Sequence, residues 1–142
     1  MDIKQDKILS IMKTNTIAYL ATCEDDQPMV RPVSPIVEDN LSVWITTNSS
    51  SQKLKQIRQN NKVSLAFLSY PGAGRVATVI GTADISENLA EKKRVWELAV
   101  FDLLENFPNG PESVEFCLIK INITSVEWRE DWQSQKEIFQ PF

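Results

Sequence analysis

The chain reads as a mainly β protein with helices at its margins, a small closed or split antiparallel barrel. Three features predict it. About six short runs rich in β-branched and aromatic residues dominate the sequence. The early connections between them are too short for parallel crossovers, which take about a dozen residues or more. One of the later runs carries an internal glycine, Gly81, of the kind that small barrels use to turn a corner. At 142 residues the chain is long enough for one domain with a real core, and no linker or repeat divides residues 1–142.

Taken in order, Asp2 to Lys13 sets Ile3, Ile8, Leu9, Ile11 and Met12 among charges at helical spacing, with Asn15 as a stop. Thr16 to Thr22 is a strand, and the cluster Glu24-Asp25-Asp26-Gln27-Pro28 turns it into a second, Met29 to Val37. That second strand holds Pro32 and Pro35. Proline gives no N–H to a ladder, so the strand is an edge, is bulged, or leaves its pairing partway. Glu38-Asp39-Asn40 turns into the strand Leu41 to Thr46, and a helix follows from Ser51 to Asn60. Lys62 to Leu68 reads as a strand buried on both faces, Pro71 to Gly74 as a turn, and Arg75 to Ile85 as a long strand interrupted at Gly81. The longest helix is expected to start at Ser86–Asn88 and to carry an apolar face from Leu89 to Leu104. A loop at Phe107–Pro111 then leads into a last strand, Val114 to Val126, followed by Trp128 and Trp132. Trp44 and Trp96 lie on apolar faces and are assigned to the core.

Composition removes several classes of function. An apolar content of 42% with 24% charged residues is that of an ordinary globular protein. A net charge of −4 argues against nucleic acid as a partner, since phosphate backbones call for a basic face. No run approaches the ~20 apolar residues that cross a bilayer, and the charged N-terminal stretch is not a secretory signal, so a cytoplasmic protein is expected. Histidine is absent, which takes away Ser-His and Cys-His catalysis and histidine-ligated zinc or haem. Cys23 and Cys117 lie far apart in apolar runs, as buried free thiols do, and no metal site is expected. No pair of carboxylates sits in a context for acid/base work, so no catalytic residue is assigned.

One stretch does carry chemistry. The strand from Leu41 ends in Thr46-Thr47, passes through Asn48-Ser49-Ser50-Ser51, and opens a helix with Gln52-Lys53. The free N–H groups of a helix start, beside hydroxyls and a lysine, favour an anion such as a phosphate. The same serines also serve as ordinary helix caps, and spacing leaves both readings open.

In order along the chain stand Thr16-Ile-Ala-Tyr-Leu-Ala-Thr22, the acidic turn with Gln27-Pro28, and Val30-Arg31-Pro32-Val33. Then come Trp44-Ile-Thr46-Thr47, Ser51-Gln52-Lys53-Leu-Lys55-Gln56-Ile57, Asn61-Lys62-Val63-Ser64-Leu65 and Val79-Ile80-Gly81-Thr82-Ala83. This ordered set, over roughly residues 8 to 130, resembles the FMN-binding split-barrel proteins of the pyridoxamine 5′-phosphate oxidase-like superfamily, most closely the general stress protein 26 type. The resemblance implies a six-stranded antiparallel split β-barrel, a homodimer, and FMN at the subunit interface. It implies that Arg31, Pro32 and Val33 run along the flavin ring and that Thr46 and Thr47 contact the ring or ribityl chain. Ser51, Gln52 and Lys53 would hold the phosphate, and Trp128 would cover the flavin from the partner subunit or pack the dimer. The oxidase proper has arginine between the serine and the lysine; Gln52 removes that charge, and Arg31, Lys55 or the partner chain would compensate. No counterpart of the oxidase's Arg- and His-containing C-terminal segment stands before Phe142, so oxidation of pyridoxamine phosphate is not the expected reaction. An FMN-dependent oxidoreductase acting on a small molecule is the first expectation. The alternatives are a non-catalytic flavin- or nucleotide-binding stress protein and an F420-dependent reductase.

Overall fold

The computed structural model describes residues 2–14, 16–69 and 74–141. The expected helix stop at Asn15 and most of the expected turn at 71–74 lie outside the described residues. Eleven elements follow one another: α1 (Ile3–Thr14), β1 (Ala18–Glu24), β2 (Gln27–Val33), β3 (Pro35–Val37), β4 (Val43–Asn48), α2 (Gln52–Gln59), β5 (Lys62–Leu68), β6 (Val76–Ser86), α3 (Leu89–Leu98), β7 (Phe116–Arg129) and β8 (Glu137–Phe139). All the paired strands are antiparallel and form one sheet in the order β2-β1-β5-β6-β7-β4-β3, with β8 alongside β7. The fold is mainly β with flanking helices, as expected. Among the described residues the strand count is eight rather than six.

The two extra strands have different origins. The proline-bearing stretch is not one strand, because it leaves its first partner at Ser34: β2 pairs β1, and β3 pairs β4. The two ends of the sheet are thus one continuous piece of chain. The barrel is closed there by a covalent link and open beside it, which is what makes it split. Pro32 and Pro35 flank the break, where a missing N–H costs least. β8 is only three residues long and shows too little alternation to be read from sequence.

Hairpins fix the register elsewhere. Glu24 faces Gln27 across a two-residue turn whose first residue, Asp25, has φ +52°, a conformation aspartate tolerates. β5 alternates buried and exposed positions, so it is covered on one face and not on both. Gly81 sits at a register shift between β6 and β7. A Cβ there would come within 2.0 Å of the Asn122 carbonyl oxygen, so only glycine allows the two backbones to approach. Ile80 faces Ser125 while Gly81 faces Ile123, leaving Thr124 as the extra residue. Inward positions on β7 therefore switch from Ile119, Ile121 and Ile123 to Val126 and Trp128.

The barrel interior is filled by these residues together with Leu20, Leu65, Phe67 and Val79, and by Ile8, Ile11 and Met12 from α1 and Leu54 and Ile57 from α2. A second apolar cluster lies on the outer face of the sheet. Ile36, Trp44, Phe116 and Leu118 are covered there by Val95 of α3 and by Leu103 and Phe107 of the segment after it. α3 ends at Leu98, well short of the expected Leu104, and α1 is the longest helix at 12 residues. The Asp102 carboxylate accepts the Leu104 N–H, a local bond that competes with helix, and turns bring Leu103 and Phe107 onto Phe116 instead. Trp44 is buried as expected and Trp96 partly so. No helix among the described residues is long and apolar enough to cross a membrane.

Candidate functional site

The turn between β4 and α2 is built by its own side chains. The Asn48 Oδ1 accepts from the Ser50 N–H at 2.9 Å and from the Ser50 hydroxyl at 2.7 Å, and the Ser51 N–H donates to the Asn48 carbonyl at 3.0 Å. Ser51 then stands at the N-cap of α2 but makes no side-chain capping bond. The side-chain cap that the sequence allows is thus not made by Ser51. The Ser51 oxygen instead accepts from the Thr47 hydroxyl at 3.0 Å, and Thr47 Oγ1 accepts from Lys53 Nζ at 2.9 Å. This arrangement spends the Thr47 proton but leaves the Ser51 O–H and two Lys53 N–H groups available. The uncapped first turn of α2 adds its own N–H groups and the positive end of its dipole. Thr46, Thr47, Asn48, Ser51 and Lys53, with Asn106 and Phe107 from the segment after α3, line a cavity of about 350 Å³.

A second cation joins from across the split. Arg31 on β2 donates through Nη1 to the Leu20 carbonyl at 3.2 Å and through Nη2 to Gln56 Oε1 at 2.6 Å. The Lys53 ammonium is held below the ordinary lysine range, first by burial and then by the positive charge of Arg31. Burial also lowers the Arg31 guanidinium. Among the described residues neither cation forms an ion pair with a carboxylate. Two partly buried positive charges that act on one another, each anchored by neutral acceptors, make this a candidate site for a compact anion.

A larger cleft, about 650 Å³, lies between the end of α1, β3 and the end of α3. Its charges are already matched: Lys13 with Asp39, and Glu38 with Arg94 and the Trp44 indole. What remains is a largely apolar wall whose other polar side chains, Thr16 and Asn40, are uncharged, so the smaller cavity with its lysine is the candidate site.

The structure brings together Thr46, Thr47, Ser51 and Lys53 around the cavity, while Arg31 of β2 reaches the same helix through Gln56. Gln52 is exposed on the first turn of α2, Pro32 is exposed on the outer face of β2, and Val33 is buried in the barrel. Trp128 is 3% exposed, and after the register shift at Gly81 its side chain joins the barrel core of its own chain. Lys55 is exposed, and the charge of Arg31 is the one that acts on Lys53. Gln56, Thr22, Asn106 and Phe107 were not assigned from sequence. For Gln56 a signal was present, because it lies three residues after Lys53 and so on the same helical face.

This fold, an antiparallel barrel left open between its edge strands β2 and β3, defines a split-barrel protein. The chain belongs to the family described as pyridoxamine 5′-phosphate oxidase, whose profile matches residues 5–129. No curated protein sequence matches it. Among solved structures it is similar to general stress protein 26 from Bacillus anthracis, with 23% identity over 96% of this chain and 98% of that one and a TM-score of 0.78. A Clostridium acetobutylicum protein related to general stress protein 26, of the pyridoxinephosphate oxidase family, superposes with a TM-score of 0.81 at 17% identity, over 99% of this chain and 96% of that one. A heme binding protein from Mycobacterium smegmatis gives 0.78 at 13% identity, over 99% of this chain and 59% of that one. At these identities the likeness is one of fold.

Proposed function

We propose that the protein is a flavoprotein whose phosphate-binding residues are Arg31, Thr47, Ser51 and Lys53, with FMN as the cofactor and a second copy of the chain completing the site. The observation that carries this reading is a pair of cations that, among the described residues, have no carboxylate partner, near an uncapped helix start. Those donors fit a phosphate monoester, while the missing arginine at Gln52 is made good by Arg31. Bound flavin supplies hydride and electron transfer, so a chain with no protein nucleophile or histidine base suits an oxidoreductase of this kind. The chain's own residues bind and orient. Lys53 and Arg31 neutralise the phosphate, Thr47 relays Lys53 to Ser51, and Thr46 and Phe107 wall the cavity.

The bare outer face of β2, β1, β5 and β6 supports the homodimer. Val30 is 69% exposed, Tyr19 43%, Leu68 42% and Ile80 39%. The registers set Pro32–Tyr19–Ala66 and Val30–Ala21–Ser64–Ile80 in rows across that face. An apolar surface of this extent on an antiparallel sheet is the usual mark of an interface.

The test is a fluorescence titration of purified protein with FMN, beside Lys53→Ala. Quenching that the variant weakens about tenfold or more is expected, since one charge-assisted bond to phosphate is worth about 1.5–3 kcal/mol. Lack of quenching by FMN sinks the reading, and tighter binding of F420 than of FMN replaces the cofactor. FMN-dependent consumption of NADH or NADPH separates an oxidoreductase from a binder without turnover.

A further inference from the structure

We propose that Gln56 is a positioning residue that holds the Arg31 guanidinium beside Lys53, so that the two cations act as one site selective for a phosphate monoester. The inference rests on the phosphate reading above and names the device behind it.

Gln56 is 4% exposed on α2, one turn beyond Lys53. Its Oε1 accepts two bonds, from Arg31 Nη2 at 2.6 Å and from the Thr22 hydroxyl at 2.5 Å. Arginine only donates, so the amide oxygen rather than the nitrogen must face it, and two bonds use both lone pairs of that oxygen. Thr22 is buried on β1. One amide therefore ties α2 to β1 and β2 across the barrel opening. Arg31 is held a second time by the Leu20 carbonyl. Two of its five N–H donors are spent on these anchors and three are left.

The chemistry of the anchors matters as much as their positions. An amide oxygen, a peptide carbonyl and a threonine hydroxyl orient the two cations without cancelling either charge. A carboxylate in the place of Gln56 would hold Arg31 equally well and neutralise it. The nearest one, Glu24, is exposed and reaches only the far side of the amide, Nε2 to Oε2 at 3.5 Å. Neutral anchoring keeps the two positive charges in mutual repulsion, and a phosphate monoester, a dianion near neutral pH, relieves it. A ligand without that group gains nothing from the arrangement.

FMN and riboflavin differ only by the phosphate, so their affinity ratio reads this device directly. The experiment titrates wild type, Gln56→Glu and Gln56→Met with each flavin, following flavin fluorescence, with circular dichroism to confirm the fold. In Gln56→Glu, which keeps size and acceptor but adds a charge, FMN affinity is expected to fall about tenfold or more while riboflavin affinity stays within about twofold. Gln56→Met, which keeps volume and releases Arg31, is expected to lower the ratio about three- to tenfold, and it decides the matter if the glutamate variant does not fold. An unchanged ratio in the folded variants overturns the proposal. Parallel weakening of both flavins overturns it too, because it shows that Gln56 acts only in packing. A wild type that binds riboflavin as tightly as FMN sinks the phosphate reading itself, and that result appears before any variant is made.

Discussion

The outer face of the sheet has two halves, and they meet opposite fates. Over β3, β4 and the start of β7 it carries Ile36, Trp44, Phe116 and Leu118, all buried beneath α3 and the segment that follows it. Over β2, β1, β5 and β6 it carries Val30, Pro32, Tyr19, Leu68 and Ile80, which no element of the chain covers. Both halves are apolar, so the same hydrophobic driving force acts on each. The chain satisfies it on one side within the protomer. On the other side the proposed second copy would satisfy it. The candidate site lies at the barrel opening between β2 and β4, where the two halves meet.

The comparison breaks most sharply on the covered half. Phe116 is fully buried, with Trp96 at 5.1 Å and Phe107 at 5.0 Å edge to face. Phe116→Ala is expected to cost about 3–5 kcal/mol in urea unfolding, as large-to-small changes in aromatic cores do. A loss under about 1 kcal/mol would mean that α3 does not seal this face. On the bare half a charge tests assembly instead of folding. Val30→Asp is expected to weaken dimerisation about a hundredfold or more by sedimentation, while protomer stability changes by only about 0.5 kcal/mol. An unaltered dimer would show that another surface makes the interface.

The smallest effect is electrostatic and again belongs to the covered half. The Arg94 guanidinium, with help from the Trp44 indole N–H, holds the Glu38 carboxyl below the usual glutamate range against the opposing effect of burial. A depressed folded-state pKa contributes stability above the unfolded value, about 4.3, and loses it as pH falls through the folded one. Glu38→Gln is therefore expected to cost about 1 kcal/mol at pH 7, a figure kept small because Arg94 is half exposed. Unfolding curves of wild type and variant should converge as the pH drops below about 4. A gap that persists there would assign the cost to the lost acceptor geometry and not to the charge.

Much of the fold was legible because its signals are local. Two-residue turns and strand alternation marked the hairpins, and the prolines at 32 and 35 announced a strand that abandons its partner. Gly81 marked a close approach of backbones. The site was half legible for the same reason: Thr47, Ser51 and Lys53 lie within seven residues of one another in a strand-turn-helix. The end of α3 was not legible, since a helical apolar pattern continues past Leu98. Burial of Leu103 and Phe107 against Phe116 outweighs local propensity there.

By itself, the sequence determined the class of fold, the order of its elements, an anion-favouring turn at Ser51 and the lack of any histidine chemistry. Each of these follows from residues close together in the chain or from composition alone. Tertiary structure decided the direction of Trp128, because one extra residue at Thr124 reverses the side-chain alternation of β7 and only the pairing with Gly81 sets where that happens. It also decided that the charge of Arg31 acts on Lys53. Arg31 lies on β2 and Lys53 on α2, and only the curl of the sheet lets Arg31 bond Gln56 of that helix while Lys53 bonds Thr47 of β4.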